Sequence, residues 1–397
     1  MILKTYQKPL PEPNDPMQAS RVVGLSMGHF VNDMYVGFLA PLLPLIIAKI
    51  DITLTMAAGL TSILSTFTSL AQPAFGHIAD KIRRPFLAAL GPLLTALFFS
   101  AIGWVDSYVA LVALIVVGGI GTAAFHPQAA ALVGRTSGRQ SGLSMSIFVT
   151  GGSAGYYTGP IVIMSIVTWL GLEYSFISFL PGMLISIFLL FVLPKLPRSL
   201  FHSAKISGTV RVSHRFRSII LLFCISTIRS FIVSGFNTFI PIYLEAQNVA
   251  PMLYAAALTT FGMPGAAGSL IGGFLSDLLG RRKVIFASLA VAMPFLGLFL
   301  LLDNFWSIIC LAIAGFAIFS SIPVVIIMAQ ELFPARINTA SSLVMGMSWG
   351  VSGLLVTPLG LLAEHIGVAK ALTSLVFLGA IGCLLTLFLP ETKRGGV

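Results

Sequence analysis

His29, Asn32 and Asp33 lie in the stretch GHFVNDM (28–34), inside a run otherwise built from Val, Leu, Ile, Phe and Ala. His29 and Asp33 are four residues apart and Asn32 is three from His29, so a helix brings all three to one face. An imidazole beside a carboxylate in apolar surroundings suits proton exchange. Histidine titrates near neutrality, and burial or a nearby charge decides how readily a carboxylate holds a proton. His126, in FHPQ (125–128), is the one ionisable group of another apolar run, and Arg229 is the one cation inside a third. His29, Asp33 and His126 are also metal-ligand types, so holding a metal ion is a second chemistry open to them.

These residues need positioning, and composition says by what. The chain has 397 residues, 57% hydrophobic and only 9% charged, against about 25% charged in a soluble domain. One aqueous core cannot hide so much apolar surface, which makes the bilayer the solvent. Counting about 20 apolar residues per membrane helix predicts an all-α membrane protein of twelve transmembrane helices. They fall near 22–49, 55–79, 86–104, 108–133, 141–168, 175–193, 218–244, 253–278, 284–302, 305–330, 339–363 and 369–389. The first twenty residues are polar and proline-containing, without the apolar core of a signal peptide, so the first helix is expected to be retained. Every Lys and Arg except Lys49, Lys370 and Arg229 falls in the tails or the even-numbered loops. The positive-inside rule then puts both termini in the cytoplasm of a multi-pass protein. Asp51, Asp106, Glu173, Glu245, Asp303 and Glu364 occupy the opposite side. The net charge of +10 is read as topogenic and lipid-facing rather than as nucleic-acid binding. Cys224, Cys310 and Cys383 sit in separate spans without metal spacing and are read as packing residues.

The chain also repeats itself. GHIADKIRRP (76–85) returns as GGFLSDLLGRRK (272–283), which sets Asp80 against Asp277 at a shift of 197. Pro44 matches Pro241 at the same shift, FHPQ (125–128) faces SIPV (321–324), and GGSAGYYTGP (151–160) faces WGVSGLLVTP (349–358). Four anchors in one order at a near-constant offset divide the chain into two pseudo-symmetric six-helix halves. The expected domains are a tail at 1–21, a bundle at 22–193, a basic cytoplasmic linker at 194–217, a second bundle at 218–389 and a tail at 390–397.

Each half carries a G-x-x-x-D loop. Gly76 and Gly273 precede the turn and are expected to let two helices approach. Asp80 and Asp277 sit at the helix ends, where an acid meets the positive N-terminus of a neighbour, and Arg84 and Arg281 follow to pair with carboxylates. Such contacts are expected to latch the cytoplasmic side shut in one state and break in the other, with Glu331 and Arg336 supporting that latch in the second half. In the fifth span Gly151, Gly155 and Gly159 recur every fourth residue and clear one helix face for close packing. Pro160 next to them favours a bend.

The paired loops resemble the signature loop of the major facilitator superfamily, G-x-L-A-D-(K/R)-x-G-R-(K/R). The twelve spans, the repeat, the long central loop, ELFPARI (331–337) and the tail PETKR (390–394) extend that resemblance over the whole chain. It departs from the pattern at Arg83, Pro85 and Leu278. The Gly155-x-x-x-Gly159-Pro160 core is similar to the antiporter motif of drug/proton exchangers, although Ile163 and Met164 replace its later glycine pair. GHFVNDM, FHPQ and the fifth span together resemble the fosmidomycin-resistance branch of efflux proteins. The fourth span lacks the arginine that many proton-coupled members carry.

The resemblance implies the major facilitator fold, in which spans 1, 4, 7 and 10 line a central cavity. His29, Asn32, Asp33, His126 and Arg229 are then expected around one chamber, with Tyr156 and Asn237 as further substrate contacts. Arg229 is the repeat counterpart of Asn32 and is expected to approach Asp33 across the halves. The implied function is proton-coupled antiport at the inner membrane, exporting a small molecule or drug by alternating access. Asp33 and His126 would carry the proton, and the proton gradient would drive transport without any cofactor or resident metal. The expected partners are substrate, protons and membrane lipid, with no nucleic acid, and the protein is expected to be a monomer. The alternatives are export of a metal ion or chelate through His29, Asp33 and His126, and a proton-coupled uptake symporter. An enzyme is not expected: GLSMG (24–28) and GMSWG (346–350) match G-x-S-x-G, but both lie in apolar helices without the strand-to-turn setting of a nucleophile.

Overall fold

A computed structural model describes residues 16–81, 85–137, 141–193, 213–302, 305–332 and 343–391. All regular elements among them are helical. The first span is Ala19–Val36 continued by Leu39–Ile50. The second joins Leu54–Ser65 to Gln72–Lys81 through a π-helical turn, Thr66–Leu70. The third is Phe86–Ser100, the fourth Tyr108–Thr136, the fifth Ser141–Leu170 and the sixth Phe179–Val192. The second half runs through Ser213–Glu245, Pro251–Leu279 and Arg281–Leu301. It continues with a tenth span of Phe305–Ser320 and Ile322–Leu332, an eleventh of Leu343–Met347 (again π-helical) and Ser348–Ile366, and ends with Val368–Thr386.

The seventh helix starts at Ser213, inside the segment expected as linker; residues 194–212 lie outside the described residues. Local chemistry fixes several ends. The side chains of Thr53 and Ser107 accept from the backbone of Met56 and Ala110, capping the second and fourth spans. Gly280 and Gly367, with φ of 99° and 87°, turn the chain between consecutive helices in a backbone region that other residues avoid.

Among the described residues, ten helical stretches are long and apolar enough to cross a bilayer. The fifth and eighth are longer than most, at 30 and 29 residues, but glycine, threonine, tyrosine and proline dilute their apolar runs. These two helices meet each other across the halves, where small residues matter more than hydropathy. A Cβ on Gly262 would fall 1.9 Å from the Tyr157 ring. Outward-facing side chains are apolar, among them Phe191, Leu301 and Phe377, as lipid contact requires. Trp104, Trp169 and Trp306 are exposed at the end opposite the termini, where aromatic side chains suit a membrane interface.

The repeat is visible in three dimensions. A Cβ on Gly76 would lie 3.7 Å from Pro127, and one on Gly273 would lie 3.7 Å from Pro323. Those distances are ordinary van der Waals contact, so neither glycine is the point of closest helix approach that the loop motif suggested. The close approaches lie elsewhere. In the fifth span, Cβ atoms on Gly151, Gly155 and Gly159 would fall 2.8, 1.9 and 2.2 Å from the carbonyl oxygens of Ser26, Phe30 and Met34. The glycine seam therefore clamps the fifth span onto the first along the helix that carries Asp33.

The halves join toward the end opposite the termini. Thr55 N donates to Glu364 Oε1 at 2.7 Å, and Ser62 Oγ meets the Gly353 carbonyl and Thr357 Oγ1, both at 2.7 Å. Thr259 Oγ1 donates to the Tyr157 carbonyl at 2.6 Å, and Asn237 Nδ2 to the Tyr157 hydroxyl at 3.2 Å.

Candidate transport site

The first span breaks one turn beyond Asp33, at Gly37 and Phe38. Pro41 accounts for it, having no N–H to offer the Gly37 carbonyl four residues before; the glycine itself is needed for contact, since a Cβ on Gly37 would lie 2.1 Å from the Tyr156 carbonyl oxygen. The helix below this break presents its polar residues as two sets. Asn32 is fully buried, donating Nδ2 to Asp33 Oδ1 at 2.9 Å and accepting from Thr95 Oγ1 at 3.1 Å. His29 and Asp33 are partly open, with side chains 11% and 17% exposed.

Asp33 bridges two imidazoles. Oδ2 is 3.1 Å from His29 Nε2, and Oδ1 is 2.9 Å from His126 Nε2. The His29 ring stacks on Phe148 at 4.1 Å between centroids, and its Nδ1 is 2.8 Å from the Phe148 carbonyl oxygen. It occupies space left by a fifth-span glycine, because a Cβ on Gly152 would fall 2.3 Å from His29 Nε2. His126 stands just before Pro127 in the fourth span, and its Nδ1 is 3.3 Å from Gln72 Nε2. Gln72 follows the π-helical turn of the second span and also donates to the Thr68 carbonyl at 2.7 Å. Four spans of the first half thus meet at one carboxylate.

The three ligand-type atoms of His29, Asp33 and His126 lie within 4.8 Å of one another, close enough to share one ion. The hydrogen bonds do not suit that use. The Gln72 amide nitrogen is fixed by the Thr68 carbonyl, so it must donate to His126 Nδ1; His126 then carries its proton on Nε2, where a metal would have to bind.

Arg229 is not part of this cluster. It is 3% exposed within the second half, with Nη2 3.1 Å from Ser226 Oγ, and its Nε and Nη1 have no hydrogen-bond partner. No ion pair joins it to Asp33. The repeat places Arg229 opposite Asn32 in register, but Asn32 is itself turned into its own bundle, and Arg229 follows the same direction in the other. Asn237 also departs from expectation. It is buried in the seam between the halves, bonded to Tyr157, rather than lining the cluster. Tyr156 backs the cluster from the fifth span, its ring 4.9 Å from that of Tyr157.

Of the latch residues, Arg281 pairs with Glu331 at 3.0 Å within the second half. Arg84 and Arg336, and the side chains of Asp80 and Asp277, lie outside the described residues. Sequence reasoning missed Gly152, Thr95 and the Phe148 carbonyl. A lone glutamine in an apolar span was the available signal for Gln72; nothing in the sequence marks a backbone oxygen.

A family model described as Major Facilitator Superfamily matches residues 25–357. The chain is 27% identical to the fosmidomycin resistance protein of Escherichia coli (strain K12), over 93% of this chain and 92% of the relative. It superposes on a bacterial homolog of the human lysosomal transporter Spinster, in an inward-facing and unoccupied conformation, with a TM-score of 0.74 at 16% identity, covering 97% of each chain. It also superposes on the nucleoside transporter NupG with a TM-score of 0.78 at 14% identity, covering 92% of this chain and 99% of that one.

Proposed function

The chain belongs to the Major Facilitator Superfamily of transporters, and we propose that it is a proton-coupled antiporter that exports a small molecule across the cytoplasmic membrane. The observation that carries this reading is Asp33, a carboxylate held between two imidazoles inside an apolar bundle. Ionisable groups in such places are expensive and mark ion or substrate paths. A gradient can do work here only if the cluster holds its proton differently in two conformations.

Alternating access follows from where the halves touch. The seam from Thr55–Glu364 to Tyr157–Asn237 closes the end opposite the termini. With both termini cytoplasmic, that is the outer face, and this seam is the one that would part for release to the outside. Glu331 and Arg281 sit at the cytoplasmic end, poised to latch it when the outer seam opens. Arg229, buried in the second half with two nitrogens unpartnered among the described residues, becomes a candidate substrate contact in a conformation that uncovers it. Export rather than uptake is supported by likeness to a protein named for drug resistance.

The test is a susceptibility panel, led by fosmidomycin after the name of that relative. It compares a strain lacking the protein with one expressing it, with and without an uncoupler. Tolerance that rises with expression and disappears with the gradient is expected. Tolerance unaffected by the uncoupler, or raised sensitivity from uptake, would contradict antiport export.

A further inference from the structure

Counting donors and acceptors around Asp33 assigns each proton in the cluster. A carbonyl oxygen only accepts, so His29 Nδ1, 2.8 Å from the Phe148 oxygen, carries a proton. The neutral imidazole then has a bare lone pair on Nε2, aimed at Asp33 Oδ2 from 3.1 Å. Two lone pairs cannot make that contact; it becomes a hydrogen bond only when one further proton sits between the two atoms. His126 is the reverse. Gln72 donates to its Nδ1, so its single proton is on Nε2 and is donated to Asp33 Oδ1 at 2.9 Å. Asn32 Nδ2 supplies a second fixed donor to the same oxygen. Oδ1 therefore has two permanent neutral donors, and Oδ2 has only the His29 nitrogen.

We propose that the exchangeable proton of this transporter is the one between His29 Nε2 and Asp33 Oδ2, and that His126 is a fixed neutral donor rather than a relay. The inference rests on the proton-coupled reading above and sharpens it. Loading adds one proton to the pair and forms one Nε2–Oδ2 hydrogen bond; release removes that proton and leaves two lone pairs face to face. The ring must then move, and its surroundings direct the motion. His29 is held by the Phe148 carbonyl and seated against Gly152, both on the fifth span. That same helix carries Tyr157, which closes the seam against Asn237 and Thr259. Losing the proton thus pushes on the helix that keeps the distal end shut. The titratable groups facing His29 are Asp33 on its own helix, His126 on the fourth span and Tyr156 on the fifth. Gln72 faces the cluster from the second span as a neutral donor. Arg229, across the halves, forms no ion pair with it.

The test is nuclear magnetic resonance of the whole protein in lipid nanodiscs with ¹⁵N-labelled histidine, the two rings being assigned from His29→Gln and His126→Gln. The His29 ring should carry a proton on Nδ1, and its Nε2 signal should differ between proton-loaded and unloaded samples. His126 should remain a neutral Nε2–H tautomer in both, and Gln72→Leu should release it to change tautomer. The proposal is overturned if His126 moves and His29 does not, or if zinc alone shifts both rings together, which would make the cluster a metal site. Failure here is separable from failure of the antiport reading. Uncoupler-sensitive tolerance with the exchanging proton on His126 sinks only this assignment; a proton exchanging at His29 without uncoupler sensitivity sinks only the antiport reading.

Discussion

At equivalent points of the two repeats, 197 residues apart, the first half has Asn32 beside Asp33 and the second has Arg229. Around Asp33, side chains from four spans satisfy one another: Asn32 and Thr95, His126 and Gln72, His29 and the Phe148 carbonyl. Around Arg229 there are two serines and two unpartnered nitrogens. A satisfied polar network rigidifies a bundle, whereas each unpaired buried polar group costs about 1–3 kcal/mol. One half has a device complete in itself, able to hold or lose a proton without outside help. The other retains an incomplete group, which makes sense if a substrate or another conformation completes it.

The largest effect expected from breaking this contrast is in Asp33→Asn. It should abolish uncoupler-sensitive tolerance in the susceptibility panel while the protein is still made and inserted, since an amide of the same shape keeps most of the hydrogen bonds. Wild-type tolerance in that variant would remove Asp33 from the mechanism. Arg229→Met should also eliminate transport, yet leave thermal stability unchanged or raised, because it removes the unpaired nitrogens. A clear fall in melting temperature would instead mean that Arg229 braces the second half.

Two glycines sharpen the comparison inside the first half. Gly155→Ala would drive a methyl to 1.9 Å from the Phe30 carbonyl, and a backbone cannot step aside easily. Overpacking of this kind costs about 1–3 kcal/mol, seen as a lowered melting temperature in detergent. The three atoms nearest a Cβ on Gly152 all belong to the His29 ring, a side chain and not a backbone. Gly152→Ala should spare the fold and impair transport by pushing the imidazole off Asp33; an unchanged phenotype would count against the site. The smallest effect is at the latch. Glu331→Gln keeps an acceptor for the buried Arg281 but removes the charge facing it, and should lower the melting temperature by less than Gly155→Ala does; no loss at all would count against the pair.

The spans were legible because apolar length and the placement of lysine and arginine are direct consequences of a bilayer. The interruptions were not. The close approach of Gly37 to the Tyr156 carbonyl depends on the fifth span, and the π-helical turns at Thr66–Leu70 and Leu343–Met347 lie where the second and eleventh spans pack together. His29, Asp33 and His126 stood out as costly residues in apolar runs, and the structure brings them together. Pseudo-symmetry misled on Arg229, because it fixes a residue's register in each bundle and says nothing of which way two bundles face each other. Gly152 passed unnoticed beside a seam of glycines spaced by four, since its neighbour is a side chain and not a helix backbone.

The central claim is exchange of protons for substrate through the first-half cluster. Its most direct test uses everted membrane vesicles from expressing cells, acidified inside and read with a fluorescent pH-gradient dye. Adding a compound singled out by the susceptibility panel should dissipate part of the gradient in wild-type vesicles and none of it in Asp33→Asn vesicles. Equal dissipation in both, or none in either, would contradict the account.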